Sequence, residues 1–575
     1  MIPVAAETNE HLKEYASRWW FVLALLFVAM VTLICRSVEL QVIDRQFLQH
    51  QGDLRHINVV SVPANRGKVL DRQGELLALS TPVKSIAVNP KEFEASPQQL
   101  KELAGLLGLD YQHLLARVSY ASGRTFVYLK RRMDPAVAEQ VKAMDLPGVY
   151  FEREFRRYYP VGEVASHILG FTNIDDNGQE GLELAYNKWL RGATGQRRVI
   201  RDGKQRIIED VEDVRPSVPG KDLVLSIDQR LQYLAYRELK SSVLRHNAKA
   251  GSLVLLDAKS GEIMAMVNQP SFNPNNRKEV QGSVTRNRAV TDSFEPGSVM
   301  KPFAVACALE LGMFRPDTMI DTNPGTMMVA GNVVRDIHNY GVLDVAHVLQ
   351  KSSNVGVTKI ALSLPADRLW GFVSGLGFGE FVGLGFPGES AGRLRDYKHW
   401  GQFEQATLSF GYGVSTSTLQ LARAYTAIAN NGMLPHVSLL KAENKDPPQR
   451  AMSSETALKV RTMLEQVVSR EGTALRASVS GYRVAGKTGT VKKSAATGGY
   501  TEGSYLSLFV GMAPASDPKL VMVVMIDEPS AGEYYGGSVA APVFSTVMSG
   551  ALRLLNVAPD QQENAQLLEQ SEGTI

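Results

Sequence analysis

Only two cysteines, Cys35 and Cys307, occur in 575 residues, too few for a disulfide framework. Each sits in an apolar run far from the other, where a free thiol is the expectation. The chain also lacks a G-x-x-x-x-G-K-[ST] loop, an H-E-x-x-H helix and a C-x-x-C pair, which argues against an NTPase and the common zinc sites. No cofactor and no metal is therefore expected. Excess charge is missing too: 62 Lys and Arg face 59 Asp and Glu, leaving +3, so bulk electrostatics give no reason to expect nucleic acid as a partner. With 44 % hydrophobic and 21 % charged residues, the remainder is ordinary globular protein, long enough for more than one folded unit.

Long apolar runs are scarce as well, and the one present stands out. Trp19 to Cys35 is about 17 residues without a charge, at the short end for crossing a bilayer. Arg18 and Arg36 bracket it, and Trp19 and Trp20 suit the interfacial edge. A cleaved signal peptide is the competing reading. The run exceeds a usual signal core and no small-x-small site follows it, so an uncleaved anchor over 19–40 is expected, after a short cytoplasmic end over 1–18.

Three short patterns carry the chemistry. Ser298-Val-Met-Lys301 places an amine three residues after a hydroxyl, on one face of a helical turn. Ser352-Ser353-Asn354 follows a helix-periodic segment, and Lys487-Thr488-Gly489-Thr490 reads as a strand. Singly each is weak: Ser438-Leu-Leu-Lys441 and Ser516-Asp-Pro-Lys519 also read Ser-x-x-Lys, and Lys259-Ser260-Gly261 imitates the third pattern. Order discriminates, because only Ser298 is followed by a Ser-x-Asn and then a Lys-Thr-Gly. A neutral lysine beside a serine hydroxyl is a general base for a nucleophile, so the set suits a serine acyl-transferase that needs no histidine. Burial and a second cation would both disfavour the charged form of Lys301. Ser352 can pass a proton to a leaving amine, and Asn354 can hold a substrate amide or Lys301. Lys487 supplies positive charge for a carboxylate, and Thr488 and Thr490 offer hydroxyls. Gly489 leaves room for an extended substrate along the strand. The N–H groups of Ser298 and Thr490 are candidates for an oxyanion hole.

Around these patterns the chain reads as α+β. Residues 41–220 form a mixed unit without a catalytic cluster, starting with a stalk over about 41–60. Arg215-Pro-Ser-Val-Pro219-Gly220 marks a boundary, and 221–555 holds helices gathered around an antiparallel sheet. The helix after Asp228 is expected to run to about His246. A hairpin spans Ser252–Val267, and strands cover Tyr505–Met512 and Leu520–Ile526. Residues 556–575 are polar and expected to be disordered.

The ordered trio resembles that of the penicillin-binding proteins, the serine acyl-transferases that cross-link peptidoglycan and are acylated by β-lactams. Arg66-Gly67, Asp71-Arg72-Gln73-Gly74 and Gly178-Gln179-Glu180-Gly181-Leu182-Glu183 extend the likeness to the monofunctional class B members. Gly52-Asp53-Leu54-Arg55, Ser409-Phe410-Gly411-Tyr412-Gly413 and Tyr534-Tyr535-Gly536-Gly537 are most similar to the division type. The resemblance implies a single-pass inner-membrane protein with its amino end cytoplasmic, an elongated pedestal (dimerisation-type) domain over 41–220, and a periplasmic, serine β-lactamase-like transpeptidase domain over 221–555. It implies that Ser298 attacks the penultimate D-alanine carbonyl of a stem pentapeptide and Lys301 accepts its proton. Ser352, between Lys301 and Lys487, then protonates the leaving D-alanine. Asn354 aligns the donor, Thr488 and Thr490 hold its terminal carboxylate, and a meso-diaminopimelate amine resolves the acyl-enzyme. Tyr412, Tyr534 and Tyr535 wall the cleft or simply pack. Membrane-embedded division partners such as a septal glycan polymerase are implied as well. A transpeptidase of lateral-wall elongation, a β-lactamase and a mainly non-catalytic interaction protein are the alternatives.

Overall fold

The computed structural model describes residues 8–48, 57–120, 123–201, 207–276, 278, 280, 282–441, 447–494 and 499–561. Residues 1–7, the Gly52–Arg55 stretch and the tail beyond 561 therefore lie outside the described residues. The first element is a helix, Thr8–Val38, whose apolar side chains from Trp19 to Ile34 are exposed. Ala16–Ile43 is long and apolar enough to cross a membrane, extending the span expected from composition by less than a turn at each end.

The rest forms two compact units that interleave along the chain. The smaller takes in 84–154 and 193–218 together with the segment 57–64. In it, the strands Ile57–Val62, Gly195–Arg201 and Ile207–Arg215 make an antiparallel sheet with Gly195–Arg201 in the middle. Helices Pro97–Leu107, Tyr111–Ser119 and Pro135–Ala143 start at Ser96, Asp110 and Asp134, whose side chains accept the first free N–H groups. Leu100, Leu103 and Leu107 recur at helical spacing because they face one small core with Ile86, Leu114 and Leu129.

The larger unit holds 65–83, 155–192 and everything from Pro219 onward. Residues 65–83 and 155–192 thus join the part beyond residue 218, and a buried ion-pair knot explains why. Glu183, fully buried, receives Arg66 Nε on one carboxylate oxygen and Arg157 Nε on the other, both at 2.6 Å. Arg66 also donates to the carbonyls of Glu183 and Asp176, and Arg157 to the carbonyl of Gly67. A Cβ on Gly67 would lie 2.0 Å from the Lys221 carbonyl oxygen, so only glycine lets these two segments meet. The Arg-Gly and Gln-Glu-Gly-Leu-Glu patterns are therefore structural joints.

At the centre of this unit is a five-stranded antiparallel sheet: β1 (Ala250–Asp257), β2 (Ile263–Gln269), β3 (Ala485–Ser494), β4 (Tyr500–Ala513) and β5 (Leu520–Asp527). Its order is β2-β1-β5-β4-β3, which leaves β3 on an edge. Helices Gln229–Arg245 and Gly536–Leu554 pack together on the sheet, and helix Thr418–Ala429 packs on β1 and β5. With helices against it, β1, β2 and β5 are buried almost without alternation. Asp228 caps the first of these helices through Arg230 N–H, as its position predicts. The Lys259-Ser260-Gly261 decoy lies in the β1–β2 turn, where Asp257 accepts the N–H groups of Lys259 and Ser260. The polar tail is anchored at its start, because Asp560 accepts from Arg483 N–H and Ser516 Oγ, each at 2.7 Å.

Replacing Glu183 with leucine leaves two buried guanidinium groups without their carboxylate. The expected cost is about 3–5 kcal/mol, read as a lower urea midpoint for the larger unit's transition.

Candidate active site

Ser298 sits in a single 3₁₀ turn, Gly297–Met300, and the α-helix begins only at Lys301 and runs to Glu310. The helical turn read from the sequence is thus 3₁₀ at Ser298, and the α-helix follows it. Gly297 has φ +62°, closed to most side chains, and a Cβ there would strike Val491 Cγ2 at 2.4 Å. Gly411 approaches as closely: its own Cβ would lie 2.4 Å from Gly297 N, and Gly297 N–H donates to its carbonyl at 3.1 Å. Tyr425, fully buried, holds the turn from beneath by donating its hydroxyl to the Val299 carbonyl at 2.7 Å.

Lys301 is completely buried, and its Nζ donates to Ser352 O at 2.5 Å and Ser352 Oγ at 3.1 Å. Lys487, equally buried, reaches the same Oγ at 3.0 Å. The structure thus unites one residue from each of the three patterns on one hydroxyl. Burial pushes the Lys301 amine well below its ordinary value; the neighbouring Lys487 adds to that, and Asp336 opposes it. Burial alone brings Lys487 down to about 7. The half-buried Ser298 has no hydrogen bond to its Oγ among the described residues, so that hydroxyl is unblocked while Lys301 is docked on Ser352.

Ser352 adopts φ +59°, an unusual conformation for serine, directly after the helix Val345–Gln350. Asp336, at the end of the hairpin strand Asn332–Arg335, secures the next turn. Its carboxylate accepts Ser353 Oγ at 2.6 Å, Val355 N–H at 3.0 Å and Asn354 N–H. It is an anion at the amino end of helix Asn354–Ser363, where the free N–H groups favour one. Asn354 gives its amide N–H to the Arg335 carbonyl at 2.8 Å, so it braces the hairpin and does not bond Lys301. Nothing in the sequence flags Asp336: it stands 17 residues from Ser353, outside any pattern.

β3 brings Lys487 to Thr490 along the sheet edge, with Thr490 opposite Ser507 of β4. Thr488 Oγ1 lies 2.9 Å from Thr473 Oγ1, and Thr490 Oγ1 accepts Gly536 N–H at 3.0 Å. A Cβ on Gly489 would meet Leu508, the Pro296 carbonyl and Val299 at 3.1–3.2 Å. The missing side chain therefore makes room for the turn that carries Ser298. Tyr412 adjoins Gly411 and meets Phe410 and Tyr500 edge-on at 5.8 and 5.5 Å. Tyr534 stacks between Tyr505 and Tyr535 at 4.3 and 4.6 Å, and Tyr535 precedes the Gly536 that abuts Gly489. Among the described residues there is no cluster of three or more His, Cys, Asp or Glu placed to hold a metal ion.

The two charges acting on Lys301 give predictions of opposite sign. Lys487→Met removes a repelling cation, so the acid limb of the acylation rate should move to higher pH. Asp336→Asn removes an attracting anion, so the limb should move to lower pH while the rate falls overall. Stopped-flow acylation by a chromogenic cephalosporin across pH measures both.

Residues 251–549 match the family model for the penicillin-binding protein transpeptidase domain, and residues 61–225 that for the penicillin-binding protein dimerisation domain. The chain is 42 % identical over 548 residues to a probable peptidoglycan D,D-transpeptidase, PbpC, of Pseudomonas aeruginosa, covering 95 % of this chain and 97 % of the relative. It is 40 % identical to the Escherichia coli peptidoglycan D,D-transpeptidase FtsI, covering 98 % and 97 %. Penicillin-binding protein 3 of Mycobacterium tuberculosis, solved with aztreonam, superposes with a TM-score of 0.69 at 27 % identity, covering 87 % of this chain and 98 % of that one. By its two matched domains and its near full-length relatives, the chain belongs to the class B penicillin-binding proteins of the FtsI, or penicillin-binding protein 3, type.

Proposed function

We propose that this protein is a peptidoglycan D,D-transpeptidase that cross-links stem peptides of the septal wall during division through an acyl-enzyme on Ser298, and that β-lactams inhibit it by acylating the same residue. The observation that carries this reading is the fully buried pair Lys301 and Lys487 on one serine hydroxyl, next to an unblocked Ser298. Neutral Lys301 takes the Ser298 proton as Oγ attacks the penultimate D-alanine carbonyl. The N–H groups of Ser298 and Thr490 face the oxyanion. When the C–N bond breaks, Ser352 gives the departing D-alanine its proton and is refilled from Lys301, with Lys487 keeping the hydroxyl polarised. Thr490 Oγ1 accepts from Gly536, which leaves its own O–H free to donate to the donor's terminal carboxylate, beside Thr488. Asn354 aligns the donor backbone, and Tyr412, Tyr534 and Tyr535 wall the cleft. A meso-diaminopimelate amine of a neighbouring stem then displaces Ser298.

The exposed apolar helix supports a single-pass inner-membrane protein with its catalytic unit in the periplasm, next to membrane-embedded partners such as a septal glycan polymerase. The Escherichia coli relative is an FtsI, which favours the septum over the side wall.

Fluorescent penicillin should give a long-lived adduct on the wild type and none on Ser298→Ala. Fast release of the label would point to a β-lactamase, and no adduct to an interaction protein. A fluorescent fusion should gather at constricting septa, and uniform side-wall labelling would favour elongation.

A further inference from the structure

Behind Tyr412 lies a second concavity, of about 190 Å³, that the acylation chemistry leaves unused. Arg393, Arg395 and Trp400 line it above the helix Gln402–Ser409. Arg393 is exposed, and its backbone is pinned by reciprocal hydrogen bonds with Ser415 at 2.8 and 3.0 Å. Its guanidinium has no ion pair among the described residues. Arg395 reaches Glu404 at only 3.8 Å, and that carboxylate is already occupied capping its own helix through Gly401 N–H at 2.9 Å. The Trp400 indole N–H donates to the Arg395 carbonyl at 3.0 Å, which fixes the ring as a wall. Two guanidinium groups on a rigid, aromatic-sided hollow, one without an ion pair and the other facing only a committed carboxylate, make a site for a further carboxylate.

The hollow shares Tyr412 with the catalytic cleft, and Gly413 and Gly411 tie that wall to Glu295 and Gly297, just before Ser298. A donor held by its terminal carboxylate at Thr488 and Thr490 would run its upstream residues along β3 toward Val491 and Lys492. Each residue advances about 3.3 Å in that direction. Tyr412 stands at that end, edge-on at 5.5 Å to Tyr500, which pairs with Ser494 of β3.

We propose that Arg393 and Arg395 form a subsite for an internal carboxylate of the donor stem peptide, upstream of the residues exchanged. This rests on the transpeptidase reading above and adds what that reading does not contain, a contact selecting acidic stems. The subsite raises the rate of acylation by peptide donors and has no role in the amine-dependent second step.

The test uses the full-length protein in detergent, with thioester stem-peptide donors whose upstream carboxylate is free or amidated. Penicillin labelling of the same samples checks that the nucleophile is intact. Wild type should acylate faster with the free acid by about two- to fivefold, the range for partly exposed charge pairs. Added salt should erode that preference. In the Arg393→Gln, Arg395→Gln double variant the ratio should fall to about one, while Arg395→Lys alone keeps part of it. An undiminished preference in the double variant overturns the proposal. A parallel loss of penicillin labelling overturns it too, since the arginines would then be structural. Dependence confined to amine-driven release would assign the subsite to the acceptor and overturn the donor assignment. Failure of the wild type to be acylated by either thioester or penicillin is a separate result, which would remove the transpeptidase reading itself.

Discussion

Two fully buried amines share one serine hydroxyl, and much of the surrounding architecture serves that contact. Lys301 and Lys487 lie 3.1 and 3.0 Å from Ser352 Oγ, where two ammonium charges cannot persist without water between them. Removal from water therefore pushes the Lys301 amine well below its ordinary value, with Lys487 as the second cause. That shift is made by the fold, since an exposed lysine at the same position would keep its ordinary value.

Keeping that contact dry requires backbone to come unusually close to backbone. Gly297 and Gly411 meet with no room for a Cβ on either, and Gly489 yields its side chain to Pro296 and Val299. Ser352 accepts a left-handed conformation, and Asp336 takes three hydrogen bonds from the residues that follow. Strain and close approach of this kind persist only where neighbouring structure over-determines them. The five-stranded sheet and its covering helices supply that rigidity, and β3, with a sheet neighbour on one side only, leaves backbone groups for an extended substrate.

Much of this could be read from the chain. Ser298, Lys301, Ser352 and Lys487 stand in ordered patterns whose chemistry is plain, and the structure gathers the last three on one hydroxyl. The core strands β4 and β5 follow from their largely apolar stretches at Tyr505–Met512 and Leu520–Ile526, and the helix after Asp228 follows from its cap. Roles that depend on contacts distant in sequence were not legible. Gly489 faces the nucleophile turn, Asn354 braces a hairpin, and the Arg66–Glu183–Arg157 knot draws residues 65–83 and 155–192 into the larger unit.

The sequence by itself determined the reaction class, the membrane anchor and the three segments that meet, because residue order, charge and apolar length are local properties. Only the tertiary structure decided that both lysines are buried, that Asp336 opposes the lowering of Lys301, and that Arg393 and Arg395 line a hollow behind Tyr412. The physical reason is that desolvation and Coulomb interactions depend on distance through space. A chain written in one dimension does not contain that distance until it has folded.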